Sequence, residues 1–100
     1  MARQAIDNGS WFELDRATKF DGNTYHNGRN QISVNTNSQW EHQDLYRTAK
    51  GSWIFNDYSS YRGTRESWEL TDDQSAVDWL IRNGHDVPND MKHLENTNEV

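Results

Sequence analysis

Residues 51–70 read GSWIFNDYSSYRGTRESWEL and contain two tryptophans, one phenylalanine and two tyrosines. Aromatic and apolar residues recur at every second position on both sides of the YRGTR turn, a pattern typical of strands. Alternation places Trp53 with Phe55 on one strand face, and Trp68 with Leu70 on one face of the next strand. Because the chain has only thirteen Ile, Leu and Val residues, we expect these four side chains to lie in the core.

The preceding stretch predicts a hairpin partner for the first of these strands. HQDLYRT (42–48) and SWIFNDY (52–58) flank AKG, in which Gly51 can take the positive φ that a tight hairpin requires. A short ISV run at 32–34 is a candidate for one more strand. The pattern therefore predicts a three- to four-stranded antiparallel meander.

The stretch TDDQSAVDWLIRNG, residues 71–84, carries the strongest helix signal in the chain. Thr71 and Gln74 have the spacing of a capping box, and Gly84 stands where helices commonly end. An apolar stripe with one aromatic residue at its margin runs along one face: Ala76, Val77, Leu80 and Ile81, with Trp79 at the margin. The pattern predicts an amphipathic helix over 72–83 that packs on one face of the sheet.

Together these elements predict a single α+β domain spanning residues 1–100. Helical spacing near 13–20 predicts a short N-terminal helix, and we expect the polar residues 1–9 and 95–100 to be loosely ordered. The predicted core is Leu45 or Tyr46 from the first strand, together with Trp53, Phe55, Trp68, Leu70, Val77, Leu80 and Ile81.

The composition excludes several classes of function. There is no cysteine, which rules out a disulfide framework, a thiolate nucleophile and a cysteine-ligated zinc site. No apolar run approaches the ~18 residues of a membrane span, and the first ten residues lack the apolar core of a signal peptide. We therefore expect a cytoplasmic protein without a membrane partner.

The net charge of −6 is unevenly distributed. Residues 1–50 carry six Lys and Arg and six Asp and Glu, whereas residues 51–100 carry four against ten. An acidic balance disfavours duplex DNA and anionic membranes as partners and suits a basic protein surface.

The four histidines form no recognisable catalytic or metal-binding motif. No two of His26, His42, His85 and His93 are three or four residues apart, and the chain has no nucleophile elbow, P-loop or dinucleotide fingerprint. His42 follows Glu41, but consecutive strand residues point to opposite faces. We expect no catalytic residue, no metal and no cofactor.

Two groups of side chains near the second turn are candidates for binding. Aromatic and basic residues form a rim on which the bases of single-stranded nucleic acid could stack: Tyr58, Tyr61, Arg62 and Arg65. Acidic residues follow, and could form a negative face of the kind that DNA-mimicking inhibitors present: Glu66, Glu69, Asp72, Asp73 and Asp78. The alternative for the acidic group is a solvated surface, since carboxylates also favour a helix N-terminus.

One longer pattern runs through these elements. The chain contains QWEHQDLYRTAKGSW at 39–53 and AVDWLIRNGH at 76–85. It resembles a family of small bacterial and phage proteins that share QWEHxxLYRTxxGxW followed by AxxWLxxNGH and have no assigned activity. The resemblance implies a bacterial or phage setting, including mobile elements, in which small acidic proteins often act by binding another protein.

We therefore expect a small non-enzymatic protein that binds a protein partner as an inhibitor or regulator, for example of a nucleic-acid-handling host-defence complex, in the manner of anti-CRISPR or anti-restriction proteins. The main alternative is a module that binds single-stranded nucleic acid or peptide through the aromatic and basic sheet residues. A third hypothesis is a small hydrolase or nuclease-like toxin centred on His42. A sheet covered by a helix on only one face would also leave an open face for a homodimer.

Overall fold

The computed structural model describes residues 2–59 and 66–95. These residues form eight strands and two α-helices: β1 (Arg3–Ala5), β2 (Trp11–Glu13), β3 (Thr18–Phe20), β4 (Thr24–His26), β5 (Gln31–Ser33), β6 (Glu41–Arg47), β7 (Trp53–Ser59), β8 (Ser67–Thr71), α1 (Asp73–Arg82) and α2 (Lys92–Glu95). Short 3-10 helices lie at Leu14–Arg16 and Asn89–Met91. The predicted α+β class is confirmed.

The largest sheet has four antiparallel strands in the order β3, β6, β7, β8. The turn between β6 and β7 is closed by the Thr48 N–H, which donates to the Ser52 carbonyl at 2.8 Å, and Gly51 takes a φ of 90°. Glycine adopts this conformation without steric cost, which is why the AKG connection makes a tight hairpin. The predicted antiparallel sheet is therefore present.

The strand beside β6 is not the one that the ISV run indicates. That run contributes to β5, which pairs with β4 in a separate two-stranded sheet, with Ile32 opposite Tyr25. The place beside β6 is taken by β3, in which Phe20 lies opposite Leu45. A third small sheet joins β1 and β2 as an N-terminal hairpin.

The prediction of a helix near residues 13–20 is wrong. The segment forms one 3-10 turn and then β3, which pairs with β6. Leu14, in the 3-10 turn, and Ala17, just after it, do pack against one apolar cluster, the one that contains Phe12. Sheet pairing thus satisfies the backbone of a segment whose helical pattern is too short to be stable without packing.

One face of the central sheet packs against α1. The buried side chains of this helix-side core are Leu45, Trp53, Ala76, Val77, Trp79, Leu80, Val87 and Met91, with Phe20, Phe55 and Leu94 partly buried against them. Trp79, which we expect at the margin, is 1% exposed. The buried arc of α1 is centred on Ala76 and Leu80 with Val77 and Trp79 on its two sides, and this places Ile81 outside it.

The opposite face is covered by the N-terminal hairpin. Ile54 and Trp68 from the sheet pack with Ile6 and Phe12 from the hairpin, and the ring centroids of Trp68 and Phe12 are 5.8 Å apart. The polar residues that we expect to be loosely ordered at the N-terminus thus include β1 and the buried Ile6. Because this face is covered within the chain, the reason for expecting a homodimer does not hold.

Two residues of the predicted core are exposed. Ile81 is 47% exposed and Leu70 is 48% exposed. Leu70 lies opposite the buried Ile54, on the hairpin side of the sheet, but at the edge strand β8. Strand alternation therefore identifies the correct face of Leu70, whereas burial depends on how far the covering hairpin extends.

The caps of α1 differ from the expected capping box. Thr71 is the last residue of β8, and Asp72 is the N-cap, whose Oδ1 accepts from the Ser75 N–H at 2.8 Å. This hydrogen bond lowers the pKa of Asp72. Gln74 donates to Asp78 at 2.9 Å and so does not reach back to the cap.

The C-terminal cap of α1 is the one that its sequence indicates. Gly84 has a φ of 76°, its N–H donates to the Ile81 carbonyl, and the His85 N–H donates to the Leu80 carbonyl at 2.9 Å. These two hydrogen bonds form a Schellman motif, which requires the left-handed conformation at Gly84.

The packing of Trp68 on the hairpin-side core generates the first prediction. Replacing Trp68 by Ala should lower the free energy of unfolding by roughly 3–5 kcal/mol, because it removes a nearly buried ring that contacts Phe12 and Tyr46. Trp11→Ala is the matched control, since Trp11 is 54% exposed and its removal should cost far less. Urea denaturation of both variants measures the difference, and equal losses would contradict the packing.

The close approach of Gly22 to β6 generates a second prediction. The Gly22 N–H donates to Asp44 Oδ1 at 2.8 Å, and a Cβ at Gly22 would overlap the backbone oxygen of Gln43. Gly22→Ala should therefore cost about 1–3 kcal/mol as the backbone moves to relieve the overlap. Gly9→Ala is the comparison for backbone strain alone, because a Cβ at Gly9 meets open space while its φ of 90° disfavours an L side chain. An unchanged free energy of unfolding for Gly22→Ala in urea denaturation would show that the approach is looser.

Candidate functional site

One pocket lies between the N-terminal hairpin and the central sheet. It has a volume of about 710 Å³, and we call it the hairpin groove. The hairpin, the β6–β7 turn and β8 supply its lining, which includes Trp11, Glu13, Arg16, Lys50, Ile54 and Leu70.

The walls of the hairpin groove expose two large apolar side chains. Alternation along β2 turns Phe12 into the core and leaves Trp11 outward at 54% exposure, while Leu70 on β8 is 48% exposed. Ile54 and Phe12, both buried, also line the groove. The groove can therefore accept an apolar group between an indole ring and an aliphatic side chain.

The polar lining of the hairpin groove is mainly basic. Arg16 and Lys50 line it, and neither forms an ion pair with any of the residues that the structure describes. The Arg3 guanidinium lies 4.6 Å from the centroid of the Trp11 ring, an arrangement that favours a cation–π contact. The groove thus brings basic side chains together in a protein whose net charge is negative.

One carboxylate in the groove lacks a full set of partners. Glu13 Oε1 lies 4.0 Å from Arg3 Nε, but Oε2 is buried and accepts no hydrogen bond within the described part of the chain. A buried acceptor without a donor is costly.

The second pocket, of about 260 Å³, lies at the far ends of β6 and β7. Its lining includes Glu41, His42, Asp57 and Tyr58. The strand register sets His42 opposite Tyr58 and Gln43 opposite Asp57. The imidazole and the Asp57 carboxylate therefore belong to opposite faces of the sheet, which is a poor arrangement for a base with an orienting carboxylate.

Tyr58 is integrated into the sheet and is not a free stacking platform. Its ring centroid lies 5.3 Å from that of His42. Burial raises the pKa of Tyr58, and a hydrogen bond to the nearby Asp44 carboxylate raises it further. Asp44 is itself buried and accepts the Gly22 N–H. The other three residues of the predicted rim, at 61, 62 and 65, lie outside the described residues.

The predicted acidic residues divide into structural and exposed groups. Asp72 caps α1, Asp78 accepts from Gln74, and Glu66 Oε1 accepts from Trp68 Nε1–H at 3.1 Å. Glu69 and Asp73 are exposed. Local hydrogen bonding thus accounts for three of the five carboxylates.

Ring nitrogens of two histidines contact loop backbone atoms. His26 Nδ1 accepts from the Gly28 N–H at 3.1 Å. His85 Nε2 lies 2.7 Å from the Asp21 carbonyl, and the His85 ring stacks on Trp79 with a centroid separation of 5.9 Å. Both therefore stabilise loop geometry. Within residues 2–59 and 66–95, no three His, Asp or Glu side chains are grouped so as to hold a metal ion.

None of the helices in the described ranges has the length and apolar character needed to cross a lipid bilayer. Comparison of the chain with protein-family models, with curated proteins and with solved structures gives no match.

None of the predicted binding residues that the structure describes lines the hairpin groove. From the sequence, Leu70 is expected in the core, and Trp11 precedes the helix expected near 13–20. One sequence feature does point to an exposed Trp11. Trp11 and Phe12 are consecutive, so in a strand only one of the two rings can face the sheet.

The Asp57 carboxyl generates a pH prediction. Burial raises its pKa above the ordinary value of 3.8, hydrogen bonds from Gln43 and Ser67 partly offset this, and the nearby Glu69 adds to it. The folded state therefore holds this proton more tightly than the unfolded state, so the contribution of Asp57 to stability is lost as the pH rises from 3.8 through the raised pKa.

Asp57→Asn should accordingly raise the melting temperature at neutral pH and weaken its decline with rising pH across that window. Thermal unfolding at a series of pH values between about 3 and 7 measures both effects. Asp15→Asn, at an exposed position of the N-terminal turn, is the control and should change the profile less. A lower melting temperature for Asp57→Asn at neutral pH would mean that the ionised carboxylate is stabilising.

Proposed function

We propose that this protein acts without catalysis, by binding another protein. The observation that carries the proposal is the hairpin groove, in which Trp11 and Leu70 are both about half-exposed. With only thirteen Ile, Leu and Val residues in the chain, large apolar side chains are scarce. Aromatic side chains exposed beside cations are characteristic of the centres of protein interfaces.

The cellular setting of the proposal comes from the sequence. The pattern at 39–53 and 76–85 resembles a family of small bacterial and phage proteins, and we place the protein in the cytoplasm of a bacterium or in a phage-infected cell. A small acidic protein in that setting is suited to inhibit or regulate a host complex.

A more specific form of the proposal is inhibition of a nucleic-acid-handling defence complex. Its support is the excess of acidic residues in the second half of the chain, together with the exposure of Glu69 and Asp73 beside β8 and α1. Acidic side chains in this region would repel nucleic acid and attract the basic surface of a protein that binds it.

Affinity capture tests the proposed function. The tagged wild-type chain, incubated with a nuclease-treated bacterial lysate, should retain one protein in near-equimolar amount, as identified by mass spectrometry. Trp68→Ala is the control for capture by a partly unfolded chain, and proteins retained by both chains should be discounted.

Two outcomes would contradict the proposal. Capture of no protein would contradict it directly, and capture from an untreated lysate that nuclease treatment abolishes would favour nucleic acid as the partner. A His42→Ala variant that folds and still captures the protein, but loses the biological effect, would favour the hydrolase hypothesis.

A further inference from the structure

β8 is an edge strand of the central sheet, and the side of it that does not pair with β7 presents backbone groups outward. The Asp7 N–H, at the tip of the N-terminal hairpin, donates to the Trp68 carbonyl at 2.9 Å. The backbone N–H and C=O of Trp68 therefore point away from β7. In an antiparallel pair every second residue has this orientation, so Leu70 has it as well. The N–H and C=O of Leu70 thus face outward, and no described segment forms a backbone hydrogen bond with them.

This open edge borders the hairpin groove. Leu70 and Trp11 both line the groove, and both are about half-exposed. A strand added at Leu70 would place alternate side chains toward and away from the groove, because side chains in a strand alternate. One apolar side chain of such a strand could enter between Leu70 and Trp11, above Ile54.

The basic side chains of the groove indicate which residues would flank that apolar side chain in the bound segment. Arg16 and Lys50 line the groove and form no ion pair within the described residues. Carboxylates would satisfy these cations.

We infer that the hairpin groove binds a short, extended, acidic segment of a partner protein, which adds to β8 at Leu70 and inserts an apolar side chain between Leu70 and Trp11. This is a form of β-strand addition, in which backbone hydrogen bonds supply affinity and a pocket for one side chain supplies specificity. The inference rests on the proposed function and names the site and the chemistry of the partner.

Single-stranded nucleic acid fits this groove less well. Trp11 with nearby cations could stack a base, but a nucleic-acid strand has no peptide backbone to pair with the outward N–H and C=O of Leu70. The outward backbone groups of Leu70 match an extended peptide.

The test begins with a randomised decapeptide library displayed on phage and selected on the wild-type protein. We expect the enriched peptides to share an aromatic or aliphatic residue flanked by Asp or Glu. Failure to enrich any peptide, or enrichment of peptides without acidic residues, would overturn the inference.

The most enriched peptide is then titrated against variants by fluorescence anisotropy. Trp11→Ala and the charge reversal Lys50→Glu should each weaken binding roughly tenfold or more. The matched controls are Tyr25→Ala and Arg29→Glu, which alter an exposed aromatic residue and an exposed cation on the β4–β5 hairpin. They should bind like the wild type, and circular dichroism verifies that every variant is folded.

Two further measurements test whether the backbone of the peptide pairs with Leu70. N-methylation at successive peptide positions should weaken binding at the position that donates to the Leu70 carbonyl, and the Leu70 amide should shift in the NMR spectrum on binding. Uniform tolerance of N-methylation would exclude strand addition. An oligo(dT) decamer that displaces the peptide, and that Trp11→Ala no longer binds, would assign the groove to nucleic acid.

Failure of this inference can be told apart from failure of the proposed function. If Trp11→Ala and Lys50→Glu still capture the same protein from lysate, the protein has a partner but binds it elsewhere. If the wild type captures no protein, the proposed function itself is wrong.

Discussion

The burial of β7 on both of its faces is the constraint on which the rest of the structure depends. Trp53 is fully buried on the helix side, and Ile54 is 1% exposed on the hairpin side. A strand of this kind needs a layer on each face, and a chain with few aliphatic residues must build both layers around aromatic rings. Trp79 of α1 supplies one layer, and Phe12 of the N-terminal hairpin supplies the other.

A buried amide then joins the loops to this framework. Asn83, at the end of α1, is 4% exposed; its Oδ1 accepts from the Asn23 N–H at 2.8 Å, and its Nδ2 donates to Asn35 Oδ1 at 2.9 Å. These hydrogen bonds attach the segments on either side of the β4–β5 hairpin to the helix end. Such a satisfied buried network specifies one arrangement of polar loops that a small apolar core could not orient.

Sequence patterns predict the elements whose signals are local. The Gly51 hairpin and the Gly84 helix end depend on one residue with positive φ, and α1 depends on a regular stripe; all three occur as expected. The N-terminal hairpin could not be predicted in this way, because its strands are three residues long and are stabilised by packing on Ile54 and Trp68. The hairpin groove could not be predicted for the same reason, since it exists only where that hairpin meets the sheet.

The hairpin groove combines features that are each unfavourable in the isolated protein. Half-exposed Trp11 and Leu70 lose hydrophobic stabilisation, and the outward backbone groups of Leu70 have no backbone partner among the described residues. Each of these is tolerable alone in a folded domain. Their coincidence beside Arg16 and Lys50 has a common remedy, because a single extended acidic segment could cover the apolar groups, pair with the Leu70 backbone and neutralise the cations.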